Sequence, residues 1–326
     1  MILAVDVGGT KTNFALYQAE GKRLILGAFK SAASPDFPSL QAALASFLLS
    51  PRPPIEAAGI GVAGPVVGGA ARTTNLSWKI ERSELQGFLG ITAVIILNDL
   101  VAMAQGIEML GAEDLLTIQE GEPDPDGNAA LIASGTGLGE AILVRHEGRL
   151  IPSASEGGHS DFAPIDGETN ALLGWLRGQV GHVSVERVVS GIGLEGIYRF
   201  FHDPDHGGSP PHVPKDADVP RVVAEAARSG ACPGCGRAFG LFLRCFGAEA
   251  GNLALKAAAT NGLYVGGGIA YRNAEAIRDG RFLCAFHDKG RFAGYMERVP
   301  LHVIMNPTAP LLGAALAAGR ASGILP

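Results

Sequence analysis

The chain has 326 residues, 47% of them hydrophobic and 18% charged, with a formal net charge of −6. That length suits two domains with ordinary cores, and the composition excludes extended disorder. The acidic balance argues against nucleic acid or an anionic membrane as partner, and no stretch approaches the ~20 uncharged apolar residues of a spanning helix.

The opening MILAVDVGGTK has no basic region before its apolar run and is interrupted by Asp6, so it does not read as a signal peptide. Ile2 to Val7 predicts a strand, Gly8-Gly9-Thr10 a glycine turn, and Asn13 to Tyr17 a returning strand. Leu24 to Phe29 follows as a third strand. Ser39 caps a helix over Leu40 to Leu49, which Pro51, Pro53 and Pro54 end. Ile60 to Ala63 predicts a strand that stops at Gly64-Pro65. Val94 to Leu97 is apolar and β-branched, as in a central strand buried on both faces, and Leu100 to Leu110 has helical spacing. Glu120 to Asn128 is an acidic surface loop. Ala129 to Ala133, Ser134-Gly135-Thr136-Gly137-Leu138-Gly139 and Glu140 to Val144 then repeat the opening hairpin. Helical patterns cover Asn170 to Val180, Leu194 to Phe201, Pro220 to Arg228 and Gly236 to Ala259, with a Pro/Gly/His loop over 202–219. Gly262 to Val265 is a strand ending in Gly266-Gly267-Gly268, Leu301 to Met305 a late strand, and Pro310 to Ala321 an Ala/Leu helix fit to pack on a sheet.

Three glycine loops thus sit at strand ends, two of them with threonine. Successive N–H groups in such loops form nests for phosphate oxygens, which favours a nucleotide cradle over three unrelated turns. Asp6, at the end of the first strand, is placed to hold a hydrated Mg²⁺ or to bond its own turn. No Walker A pattern occurs. Gly191-Ile192-Gly193-Leu194-Glu195-Gly196 has the dinucleotide-binding glycine spacing without a second strand behind it, so it is a weak match. Asn98 and Asp99 join a strand to a helix, where an open sheet binds its ligands. The same pair is favoured as a helix N-cap, and both readings stand. Glu156, His159 and Glu186 offer the carboxylates and donors that adjacent hydroxyls need. Cys232-Pro233-Gly234-Cys235 is a lone CxxC, more in keeping with a reduced structural pair than with a redox or metal site.

Taken in order, these motifs resemble the bacterial glucokinases of the hexokinase/actin/heat-shock-ATPase superfamily, nearly end to end. The first phosphate loop is matched by Asp6-Val7-Gly8-Gly9-Thr10 and the second by Ser134 to Gly139. Thr74-Asn75-Leu76-Ser77-Trp78 resembles a further family string. Glu156 to Pro164 resembles the sugar loop, Gly181 to Gly191 the segment with a third sugar carboxylate, Gly266 to Ile269 the adenosine loop, and Asp288 to Phe292 another string. The resemblance implies a two-domain α/β, actin-like ATPase (ribonuclease H-like) fold with a cleft between a smaller and a larger domain. Residues 1–109, completed by 307–326, would form the first domain and 110–306 the second. It implies ATP-dependent phosphorylation of D-glucose at the 6-hydroxyl, with Asp99 as general base at an ordinary carboxylate pKa and Asn98, Glu156, His159 and Glu186 as sugar ligands. Asp6, Gly8, Gly9, Thr10, Gly135, Thr136, Gly137, Gly266 and Gly267 would bind ATP, Asp6 also holding Mg²⁺ through water. It further implies a cytoplasmic homodimer in glycolysis that binds a sugar and a nucleotide. The Cys-rich zinc motif of the related repressor/kinase branch is missing. A kinase for mannose, fructose or N-acetylglucosamine, or a non-catalytic sugar sensor, are the alternatives.

Overall fold

The computed structural model describes residues 1–48, 53–73, 76–203, 213 and 217–326. Leu49, Pro51, Thr74, Asn75 and most of the 202–219 loop lie outside the described residues. Two compact units emerge, one of 1–114, 150–154 and 306–326, the other of 115–149 and 155–305.

In the first unit, β1 (Ile2–Val7) pairs antiparallel with β2 (Lys11–Glu20), and β2 with β3 (Arg23–Ala33). Helix α1 (Leu40–Phe47) starts at Ser39, whose hydroxyl accepts from the Ala42 N–H. Strand β4 (Ala57–Val62) lies parallel to β1, with Asp6 opposite Gly61. A small three-stranded sheet, β5 (Val66–Val67), β6 (Ala70–Arg72) and β7 (Lys79–Glu81), leads into α2 (Arg82–Leu89). Strand β8 (Ala93–Asn98) adds parallel to β4 and feeds α3 (Asp99–Gly106).

The main sheet runs β3-β2-β1-β4-β8, so β8 is an edge strand and not the central one its apolar run predicts. Its Val94 and Ile96 enter the core with Leu3, Val5 and Ile60, while Ala93 and Leu97 pack partly against the C-terminal helix on the other face. Covering by that distant helix makes an edge strand look like an interior one.

The second unit begins with β9 (Leu115–Gln119). Strands β10 (Ala129–Ser134) and β11 (Leu138–His146) form the second hairpin, and β12 (Arg149–Ser155), whose residues 150–154 belong to the first unit, follows in the chain. Helices α4 (Gly167–Val180), α5 (Gly191–His202), α6 (Val219–Ser229) and α7 (Pro233–Ala257) come next. Strand β13 (Gly262–Gly266) lies parallel to β10, as β4 does to β1. Short helices α8 (Gly267–Arg272), α9 (Ala274–Arg278), α10 (Arg281–His287) and α11 (Ala293–Met296) lead to β14 (Leu301–Ile304). Strands wholly within this unit are ordered β11-β10-β13-β14-β9. Their core interlocks with α5, α7 and α10 through Phe200, Phe242, Phe246 and Phe282. The Gly191–Gly196 motif lies inside α5 and forms no phosphate loop.

The chain returns to the first unit as α12 (Ala309–Ala321), packed on β1, β4 and β8. Gly59 of β4 permits this, because a Cβ there would stand 1.9 Å from the Ala314 carbonyl oxygen. No helix among the described residues is long and apolar enough to cross a membrane.

Candidate functional site

In the first unit the structure divides the work of Asn98 and Asp99. Asn98 is the helix cap: its Oδ1 accepts from the Leu100 and Val101 N–H groups at 3.0 and 3.3 Å. Its Nδ2 donates to the Gly64 carbonyl at 3.2 Å, which leaves one amide hydrogen for a ligand. Asp99 is the first residue of α3, and its Oδ1 accepts from the Leu100 N–H at 2.9 Å. Burial pushes the Asp99 carboxyl up to about 6. The Leu100 N–H pulls it back, and the negative charge of Asp6 adds to the rise. The expected ordinary carboxylate value is therefore corrected upward, since a sequence does not show how little water reaches this helix end.

Asp6 comes near because β1 and β4 are in register and Gly61 leaves room for the start of α3. A Cβ on Gly61 would lie 3.2 Å from the Ala102 Cβ and 3.8 Å from the Asp99 Cα. Asp6 Oδ2 accepts from Asn13 Nδ2 at 3.1 Å across the hairpin. Burial raises its carboxyl, opposed by that amide and by the charge of Lys11. A desolvated carboxylate with one oxygen committed to an amide suits a cation that keeps most of its waters, so Asp6 fits Mg²⁺ by its donor set. At the hairpin turn the Gly8 N–H donates to the Lys11 carbonyl at 3.0 Å, and Ser34 Oγ holds the Gly8 carbonyl at 2.7 Å.

In the second unit Glu156, His159 and Glu186 come together. His159 Nε2 lies 3.8 Å from Glu156 Oε2, and its Nδ1 3.9 Å from Glu186 Oε1. Glu156 and His159 are exposed, so this pairing contributes little stability and leaves their polar atoms for a ligand. The two strings are laced by backbone bonds, Phe162 N–H to the Val183 carbonyl and Val185 N–H to the Ser160 carbonyl.

Glu186 has a second role that its sequence context hides. Its Oε2 accepts from the Leu138 N–H at 3.0 Å, and a Cβ on Gly137 would stand 2.5 Å from that oxygen. It therefore ties the group of Glu156, His159 and Glu186 to the Gly135-Thr136-Gly137 loop. That loop closes on itself through Gly135 N–H to the Gly137 carbonyl. Gly267, at φ +89°, lies against it: a Cβ would be 2.3 Å from the Ser134 oxygen, so the second and third glycine loops are neighbours. The Ser134 hydroxyl is buried and points at the Val189 carbonyl.

Sequence reasoning missed Glu140, which it places only at the start of a returning strand. It is 1% exposed, its Oε1 has no hydrogen-bond partner, and its Oε2 would lie 2.1 Å from a Cβ on Gly157 in the loop between Glu156 and His159. Burial pushes its carboxyl up to about 7, helped by the charge of Glu249 and opposed by Lys256. Because the folded pKa exceeds the unfolded 4.5, the folded state holds this proton more tightly. Its contribution to stability is complete below pH 4.5 and is lost as pH rises through about 7. Glu140→Gln removes that loss, so its melting temperature is expected to exceed the parent's at pH 8 and to match it at pH 4.5. Differential scanning calorimetry at the two pH values checks this, and equal gains at both would assign the effect to packing.

The family model described as Glucokinase matches residues 3–321. A curated glucokinase from Nostoc punctiforme is 36% identical over 338 residues, covering 98% of this chain and 99% of the relative. Among solved structures, a glucokinase from an Antarctic psychrotroph superposes with a TM-score of 0.84 at 32% identity, covering 98% of both chains. A ROK family glucokinase from Streptomyces griseus, solved with glucose and AMPPNP, shares the fold at a TM-score of 0.58 and 22% identity, over 96% of this chain and 97% of that one.

Proposed function

Since the chain belongs to the glucokinase family, we propose that it transfers the γ-phosphoryl group of ATP to the 6-hydroxyl of D-glucose. The observation that carries the reading is Asp99, a desolvated carboxylate at the start of α3 beside Asp6. Asp99 orients the 6-hydroxyl and accepts its proton as the O–P bond forms. Phosphoryl transfer is loose, so the remaining residues chiefly position groups and balance charge. Glu156, His159 and Glu186 hold the other hydroxyls, and Asn98 offers its free amide hydrogen. The loops at Gly8-Gly9-Thr10 and Gly135-Thr136-Gly137 receive phosphate oxygens on backbone N–H groups, and Gly266-Gly267 adjoins the adenosine. Asp6 would hold Mg²⁺ through water, an ion that neutralises charge on the phosphates when bound.

Two domains, 1–109 with 307–326 and 110–306, and a cytoplasmic homodimer serving glycolysis complete the proposal; the family likeness supports them.

The test is ADP production from ATP–Mg²⁺ with glucose, mannose, fructose and N-acetylglucosamine supplied singly. Glucose is expected to give the highest kcat/KM. Faster turnover of another hexose moves the substrate, and sugar binding without turnover makes the chain a sensor.

A further inference from the structure

The CxxC pair acquires a third partner in three dimensions. His202 closes α5, Cys232 caps α7 and Cys235 lies in its first turn. All three are buried, and one ligand atom from each lies within 4.8 Å of the others.

The geometry is that of a built donor set. His202 Nδ1 sits 2.7 Å from the Tyr198 carbonyl, an acceptor that holds the ring proton on Nδ1 and leaves the Nε2 lone pair to accept from the Cys232 thiol. That Nε2 faces Cys232 Sγ at 3.5 Å. Nitrogen and sulfur bound to one tetrahedral zinc, at ~2.05 and ~2.3 Å, stand about 3.6 Å apart. The Cys235 N–H donates to Cys232 Sγ at 3.1 Å, which holds that sulfur in place. Gly234 makes the approach feasible, because a Cβ would stand 2.8 Å from His202 Nε2. A histidine whose second nitrogen is fixed by a backbone carbonyl is the usual arrangement of a metal ligand.

We propose that His202, Cys232 and Cys235 form a binding site for a thiophilic d¹⁰ cation, Zn²⁺ or Cu⁺. Binding displaces the two thiol protons to solvent and joins the end of α5 to the start of α7. Three donors complete a trigonal Cu⁺ or leave one position of a tetrahedral Zn²⁺ for water. The site shares no residue with the glucose and ATP groups, so it stands or falls apart from the proposed reaction.

The test uses tag-free, full-length protein purified under reducing conditions without chelator. Mass-spectrometric metal analysis is expected to find zinc or copper near one per chain. Co²⁺ added to the metal-free protein is expected to give a sulfur-to-cobalt charge-transfer band that Zn²⁺ abolishes. Competition with a chromogenic Cu⁺ chelator separates the two ions. His202→Gln and Cys235→Ser should each weaken binding at least about tenfold. Should both variants fail to fold, the cobalt titration of the unmodified chain still decides. Absence of the cobalt band together with absence of retained metal overturns the proposal. A mass two hydrogens below the reduced chain, restored by dithiothreitol, overturns it in favour of a disulfide.

Discussion

Asp99→Asn is expected to lower kcat by about 10²–10⁴, or ~3–5 kcal/mol, while the folded chain becomes more stable at neutral pH. The two effects have one cause. The fold places a carboxylate where ionisation is disfavoured, and burial with the Asp6 charge holds it up to about 6. Its folded pKa lies above the unfolded 3.8, so the destabilisation is absent below pH 3.8 and fully present above about 6. Asparagine retains the oxygen that accepts the Leu100 N–H, and Asn98 remains the cap. The helix should therefore be unaffected, and stability should rise by about 1–3 kcal/mol at pH 7.5. Urea denaturation at pH 7.5 and at pH 4 reads the stability. The dependence of kcat/KM on pH reads the chemistry: the parent should lose activity as pH falls through about 6, and the residual rate of the variant should be flat there. Full turnover in the variant excludes Asp99 as base. A large loss of stability at pH 7.5 would mean that the carboxylate, and not the Asn98 amide, holds the start of α3.

The legible features of this chain are those whose signal is local. Both hairpins follow from period-two runs broken at Gly8-Gly9 and Gly135-Thr136-Gly137, and Ser39 announced α1 by its capping hydroxyl. The features that were not legible depend on partners far along the chain. Val94 to Leu97 looks interior because α12, from the other end of the sequence, covers its second face. Asn98 and Asp99 are equivalent caps on paper; only side-chain geometry gives the cap to Asn98 and leaves Asp99 accepting from the Leu100 N–H alongside it. Glu140 is only the start of a strand until Glu249 on α7 is placed against it. Cys232 and Cys235 look like two ligands short of a site until the end of α5 delivers His202.

Gly313→Ala is expected to destabilise the chain by about 3 kcal/mol, the upper end of overpacking costs. Helix α12 meets α3 through small residues spaced four apart on each helix, Ala309 and Gly313 against Ala102 and Gly106, so that each pair shares one face. A Cβ on Gly313 would stand 1.8 Å from the Ala102 carbonyl oxygen and 2.5 Å from the Gly106 nitrogen. Both are backbone atoms of α3, and no rotamer change relieves them. The helices must separate, and α3 carries Asp99 at its first position. Variant molecules that remain folded should therefore show a lower kcat, with the acid limb of kcat/KM moved to lower pH as water reaches Asp99. Gly174→Ala supplies the contrast. Gly174 is exposed on α4 with nothing within 4 Å of a Cβ, so alanine there should stabilise by ~0.5–1 kcal/mol through helix propensity alone. Urea denaturation of both variants, with pH profiles for Gly313→Ala, separates packing from propensity. A Gly313→Ala chain as stable as its parent would show that α3 and α12 slide past one another freely. The desolvation of Asp99 would then need a source other than this contact.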